Sequence, residues 1–197
     1  KSNSREADMK SNFPKVMKVT AATMALATVI LAAVYRSFPN DRVLSAAITT
    51  GTTFYHFAMR LIVGGIVPRC IHNPAKYQWF RQKSFEPRLY ALLHVKQWKD
   101  HMPTYDPASF SLRDNSLEQI VHNSCVSEAV HEIIVLFSFV PLLFTFLWGT
   151  FPVFLITSVL AAAFDSCFIM MQRYNRPRLL HILEKRKSNA IPHYDRN

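Results

Sequence analysis

Four apolar runs, separated by two short breaks and one long polar one, set the plan of this chain. Val16–Tyr35 is rich in Ala, Val and Leu, and Lys18 near its start is its one charge. Phe38-Pro39-Asn40-Asp41 then leads into Val43–Val67, a joint so short that two helices flanking it must be antiparallel. The third run is Ile133–Trp148, and Trp148-Gly149-Thr150 turns it into the fourth, Phe151–Met171. A helix of about 20 apolar residues crosses the hydrocarbon core of a bilayer. The pattern therefore predicts an all-α fold, an integral membrane bundle of four transmembrane helices.

The polar stretches complete that plan. Pro68 closes the second run, and residues 69–127 are too long and too polar a loop to lie within the bilayer. Trp79–Phe85 and Leu89–Lys99 mix aromatic with basic residues, the composition of amphipathic helices lying in the membrane interface. Pro103 and Pro107 mark a turn-rich segment, and Ser116–Val126 resumes helical spacing. Residues 1–15 read as a polar, disordered N-terminus, 16–183 as the transmembrane domain, and 184–197 as a basic, disordered tail.

Composition gives the membrane plan an orientation. Half of the residues are hydrophobic, 18% are charged, and the net charge is +10. A soluble nucleic-acid binder would not carry such long uncharged runs, and the basic residues crowd beside them. This is positive-inside flanking with attraction to anionic lipid. Both termini and the 69–127 loop fall on the cytoplasmic face of a multi-pass cell-membrane protein, and no nucleic-acid partner is expected. Lys10, Lys15 and Lys18 precede the first run as in a signal peptide. No small-residue cleavage site follows, however, and a second run does, so the run reads as a retained helix. Cys70, Cys125 and Cys167 are odd in number and widely spaced, which indicates neither a disulfide framework nor a zinc site.

Several polar groups stand out against this background. His56 and Arg60, four apart, share a face of the second run, where ionisable residues usually face a bundle interior or a wet cavity. Glu128 and His131, three apart, put a carboxylate beside an imidazole at the opening of the third run. A carboxylate so placed can orient an imidazole that deprotonates a hydroxyl; a helix-end salt bridge is the plainer reading. The same Glu-x-x-His is half of a metal site, and His94, His101 and His122 follow no defensible ligand spacing beside it. The fourth run carries Asp165 and ends in Gln172-Arg173-Tyr174-Asn175-Arg176-Pro177-Arg178. That block is either a positive flank at the headgroups or a set of guanidinium forks for carboxylate or phosphate. Pro177 is expected to end or kink its helix. The inferred orientation gathers the loop, Glu128, His131 and this block at one membrane face.

At these residues the chain resembles the glycosyl-4,4'-diaponeurosporenoate acyltransferase family, small bacterial membrane proteins of carotenoid glycolipid synthesis. The likeness runs from about Phe80 to Leu183 in three ordered blocks: Phe85-Glu86 through Trp98-Lys99-Asp100-His101-Met102-Pro103, Cys125-Val126-Ser127-Glu128-Ala129-Val130-His131, and Gln172–Leu179. The chain departs from the pattern at Asn123-Ser124, at Val126 and at Asp165-Ser166-Cys167, and His56 and Arg60 have no counterpart in it. The resemblance implies transfer of a fatty acyl group from an acyl thioester such as acyl-CoA to a hydroxyl of a lipid-linked acceptor. It implies no further cofactor and no metal. His131 would be the base and Glu128 its orienting partner. Lys99, Arg173, Arg176 and Arg178 would hold phosphates or the oxyanion. Trp98 and Tyr174 would seat sugar or acyl chain, Asn175 would position a carbonyl, and Gln172, His56 and Arg60 complete the expected substrate-binding set. Cys125 as an acyl-carrying nucleophile is the alternative to direct transfer. Membrane lipids, donor and acceptor are the expected partners, and homo-oligomerisation is left open. The other class of reading is a non-catalytic lipid-binding scaffold that presents a lipid to a partner enzyme.

Overall fold

The structure, a computed structural model, describes residues 2–190, and every regular element among them is helical. Helix α1 (Ser2–Ser37) and helix α2 (Asp41–Cys70) form an antiparallel hairpin. Asn40 caps α2 by accepting from the Arg42 amide at 2.9 Å, satisfying one of the donors a helix start leaves open. The two helices meet through a Thr28–Thr50 hydroxyl bond of 3.1 Å. Gly51 keeps them close, since a Cβ there would already touch Thr28 at 3.4 Å.

The segment after α2 holds 3-10 turns and two short helices, α3 (Glu86–Leu92) and α4 (Val95–Trp98), divided at His94 by a left-handed backbone (φ 51°). Helix α5 (Leu117–Phe137) starts at Ser116, whose hydroxyl accepts from the Gln119 amide at 3.2 Å. A 3-10 stretch at Val140–Phe144, containing Pro141, leads to α6 (Thr145–Trp148), and Gly149 turns the chain at φ 66° into α7 (Phe151–Ala190). Helices α5 and α7 lie along one another, and α2 packs against both. Met59 and Val63 of α2 interlock with Val126, Val130 and Ile134 of α5 to form the buried centre.

Among the described residues, three segments are long and apolar enough to cross a membrane: Asn12–Ser37, Leu117–Trp148 and Phe151–Asn189. Their outward faces are unusually apolar. Val19, Val29, Leu136, Leu147 and Leu160 are exposed, and Phe146 is 90% exposed, a surface suited to lipid rather than water. The expected second crossing, α2, does not reach this level. It carries Arg42, His56, Arg60 and Arg69 along with a threonine-rich stretch. Those threonines are quieted locally: Thr49, Thr52 and Thr53 donate to the carbonyls of Ser45, Ile48 and Thr49 four residues back, at 2.8, 2.9 and 2.7 Å.

Three boundaries differ from the sequence expectation. The polar start is helical from Ser2, because a helix already nucleated by the apolar run propagates through good helix formers such as Glu6, Ala7, Met9 and Lys10. The loop ends at Ser116, so Glu128 and His131 sit within α5 rather than at the opening of a helix. Helix α7 also continues through Pro177 to Ala190. A proline would normally break it, but Arg173 and Arg176, immediately before the ring, are anchored to other elements and hold the turn in place. The rest of the expected C-terminal tail, 191–197, lies outside the described residues.

Candidate active site

Two charged clusters join α7 to the rest of the bundle. The first lies around Arg173 and Arg176. Arg173 reaches Glu86 of α3 at 2.5 Å and Glu128 of α5 at 2.7 Å, and donates to the Trp79 carbonyl at 3.0 Å. Arg176, only 2% exposed, pairs with the other oxygen of Glu128 at 2.5 Å. It also donates to the carbonyls of Phe80 and Ser124 at 2.9 and 3.0 Å. Two carboxylates thus face two guanidiniums in near-complete burial, the arrangement that offsets the desolvation of each charge. Tyr90 closes the cluster. Burial, then the negative charge of the neighbouring Glu86 carboxylate, push its pKa well above the ordinary tyrosine range, so it stays neutral.

The second cluster lies about two to three turns deeper along α7. Asp165, almost fully buried, accepts from Arg60 of α2 on one carboxylate oxygen, and His131 Nδ1 of α5 lies 2.9 Å from the other. The Arg60 guanidinium also donates to the carbonyls of His56 and Ala161 at 3.1 and 3.2 Å. The His131 ring stacks flat on Phe168, with centroids 4.5 Å apart and planes at 5°. An imidazole that donates Nδ1–H to a carboxylate keeps its lone pair on Nε2. His131 is thereby fixed in position and tautomer, as a general base requires.

These residues line a cavity of about 730 Å³ walled by α2, α5 and α7 and by the loop at Pro103–Phe110. His56, Arg60, His131, Asp165 and Gln172 all border it. Gly64, Gly65, Asn123 and Ser127 line its side nearer the loop, and Phe57, Ile134, Thr157 and Leu160 give it a largely apolar lining elsewhere. Gly64 and Gly65 leave the α2 wall open, since a Cβ at either would meet no atom within 4 Å.

The expected site residues divide between these places. His56, Arg60, His131 and Gln172 share the cavity, whereas Glu128 does not orient His131: it faces Arg173 and Arg176, and Asp165 takes the place beside the imidazole. The reason is angular. A separation of three residues leaves side chains about 60° apart around a helix, enough for Glu128 and His131 to meet different partners on α7. Arg173 and Arg176 face protein carboxylates and carbonyls rather than the cavity. Lys99 pairs with Asp100 at 2.7 Å and lies 5.8 Å over the Tyr174 ring, and Trp98 donates to the Leu93 carbonyl at 3.0 Å. Asn175 is half-buried and Arg178 exposed. Cys125 is fully buried and, like His94, His101 and His122, does not line the cavity. Two carboxylates named in the sequence, Asp165 and Glu86, had no role assigned to them there. The available signal for Asp165 was a lone acid in an apolar run, to be matched with a lone arginine in another.

Membrane-length helices and an imidazole–carboxylate pair set beside a largely apolar cavity define a helical membrane protein with the parts for proton transfer. The family model for glycosyl-4,4'-diaponeurosporenoate acyltransferase matches residues 76–185, more than half of the chain. The chain belongs to that family and is an acyltransferase. Comparison with curated proteins and with solved structures gives no match. The matched segment contains His131, Asp165 and the whole Glu86–Glu128–Arg173–Arg176 cluster, while His56 and Arg60 precede it.

Proposed function

We propose that this acyltransferase moves a fatty acyl group from an acyl thioester, acyl-CoA or its like, to a hydroxyl on a lipid-linked acceptor such as a glycolipid sugar. The observation that carries the reading is the 2.9 Å contact between His131 Nδ1 and Asp165 inside a cavity large enough for an acyl chain. His131 Nε2 takes the hydroxyl proton as the oxygen attacks the thioester carbonyl. A C–O bond forms, the C–S bond breaks, and the imidazolium returns the proton to the departing thiolate. Asp165 orients the ring and stabilises its charged form, the role that a buried carboxylate plays beside a catalytic imidazole.

In this reading α2 is a fourth crossing of the cell membrane. Its 30 residues span about 45 Å as a helix, and the charge that lowers its apolar character, Arg60, is met by Asp165 at depth. The basic flanks put both termini and the 71–116 segment on the cytoplasmic side, where a water-soluble thioester is available. The loop side of the cavity receives the acceptor and the thioester head, and its apolar lining receives the acyl chain.

The test is transfer by the purified protein from palmitoyl-CoA to octyl glucoside, followed by mass spectrometry of the ester and by thiol release. Wild type should form the ester, and Asp165→Asn, checked for an intact melting transition, should lose about 10²–10⁴-fold in turnover. A lipid-presenting scaffold would form no ester, and Asp165→Asn would leave its lipid binding unchanged.

A further inference from the structure

Helix α2 carries, on two residues that border the cavity, buried hydrogen-bond donors that no acceptor among the described residues receives. His56 is 4% exposed, lies edge-on to Tyr55, and neither ring nitrogen has a hydrogen-bond partner among the described residues. One turn on, Arg60 uses both terminal nitrogens, on the His56 carbonyl, the Ala161 carbonyl and Asp165, while its Nε is buried without an acceptor. Buried donors are ordinarily paired, because leaving them unpaired forfeits the hydration they had in the unfolded chain. Two such donors on one helix face, both bordering the cavity that His131 borders, point to a ligand atom that accepts.

We propose that His56 and Arg60 form the oxyanion-binding site of this enzyme, receiving the acyl carbonyl oxygen while His131 activates the attacking hydroxyl. The inference rests on the acyl-transfer reading above and names the group that stabilises its transition state. A neutral imidazole supplies one N–H, and the Arg60 guanidinium supplies another together with its positive charge. The guanidinium is already fixed by three bonds to protein oxygens, so it needs no reorganisation when negative charge develops on the carbonyl oxygen. Arg60 therefore serves both halves of the reaction: it holds the Asp165 that orients the base, and it faces the oxygen that takes up charge. The carbonyl sits beside His56, Arg60 and His131 in the cavity they share, with the chain running toward Ile134 and Thr157 and the acceptor entering past Gly64.

The experiment compares wild type, His56→Phe and His56→Gln with palmitoyl-CoA and octyl glucoside. Phenylalanine keeps the ring volume and removes the donor. It should lower kcat by about 10²–10³-fold with the KM for palmitoyl-CoA little changed. Glutamine restores an N–H and should recover part of the loss. Infrared spectra of carbonyl-labelled palmitoyl-CoA bound to His131→Ala protein supply a second readout. The carbonyl band should lie below its position in detergent alone and should return toward it in the His56→Phe/His131→Ala protein. Wild-type rates in His56→Phe, or an unshifted band in His131→Ala, would overturn this assignment while leaving acyl transfer standing. Failure of the wild-type protein to transfer would overturn both.

Discussion

The two charged clusters on α7 use the same chemistry to opposite ends. Around Arg173 and Arg176 each charge meets its opposite: two buried carboxylates face two guanidiniums, and backbone carbonyls take further arginine donors. Arg176 Nε alone of these donors is left without an acceptor among the described residues, and the cluster stands apart from the cavity. Around Asp165 the pairing is incomplete. The carboxylate is shared between Arg60 and His131, yet Arg60 Nε and both nitrogens of His56 have no partner among the described residues, and the group borders open space. An ion-pair network set away from the cavity rigidifies, and one with unmet donors beside a cavity is ready for a ligand. The upper cluster clamps α3 and the turn at Gln78–Phe80 onto α5 and α7. The deeper one is where chemistry can occur.

The comparison is sharpened first by removing the centre of the clamp. Glu128→Ala would leave Arg173 and Arg176 buried without their shared carboxylate, and should cost about 3–5 kcal/mol, seen as a lowered denaturant midpoint or melting temperature in detergent. An unchanged midpoint would show the clamp to be dispensable. A smaller effect is expected at the mouth of the deeper site. Gly64→Phe, at a position whose Cβ meets nothing, should narrow the loop side of the cavity and cut transfer to octyl glucoside about tenfold, a loss of about 1.4 kcal/mol in the barrier. Its melting transition should stay in place, and full activity would show that the acceptor enters elsewhere. The smallest effect belongs to Lys187 and Glu118, an exposed pair at 3.9 Å. Lys187→Ala should change stability by less than about 1 kcal/mol, and a larger shift would mean that the α7 extension is held more firmly than its surface contacts indicate.

Much of this architecture was legible in the sequence, for physical reasons. Apolar runs of membrane length announce helices whatever their neighbours, and three of the four are apolar enough to cross a bilayer in the structure. His56 and Arg60 could be placed on one face because helical spacing fixes that relation, and their charge in an apolar run marked them as facing inward. Their cavity was also the one that holds His131. What spacing could not supply was partner choice. Glu128 is nearer to His131 in sequence than Asp165 is, but an angular offset along α5 sends the two side chains to different turns of α7. The bond that matters joins residues 34 apart, and the Arg60–Asp165 pair joins residues 105 apart. Likewise, Arg173 read as ligand-binding because Glu86, one of its buried partners, sits in a segment whose aromatic and basic composition suggested only an interfacial surface.

The most direct test of the division between clamp and reaction centre is a paired measurement on His131→Gln and Glu128→Gln, following ester formation and melting temperature in the same preparations. The account predicts that His131→Gln loses about 10²–10⁴-fold in turnover while melting as wild type does, and that Glu128→Gln melts earlier while its folded fraction turns over near the wild-type rate. Turnover that survives His131→Gln, or that vanishes in a Glu128→Gln protein with an unchanged melting temperature, would contradict it.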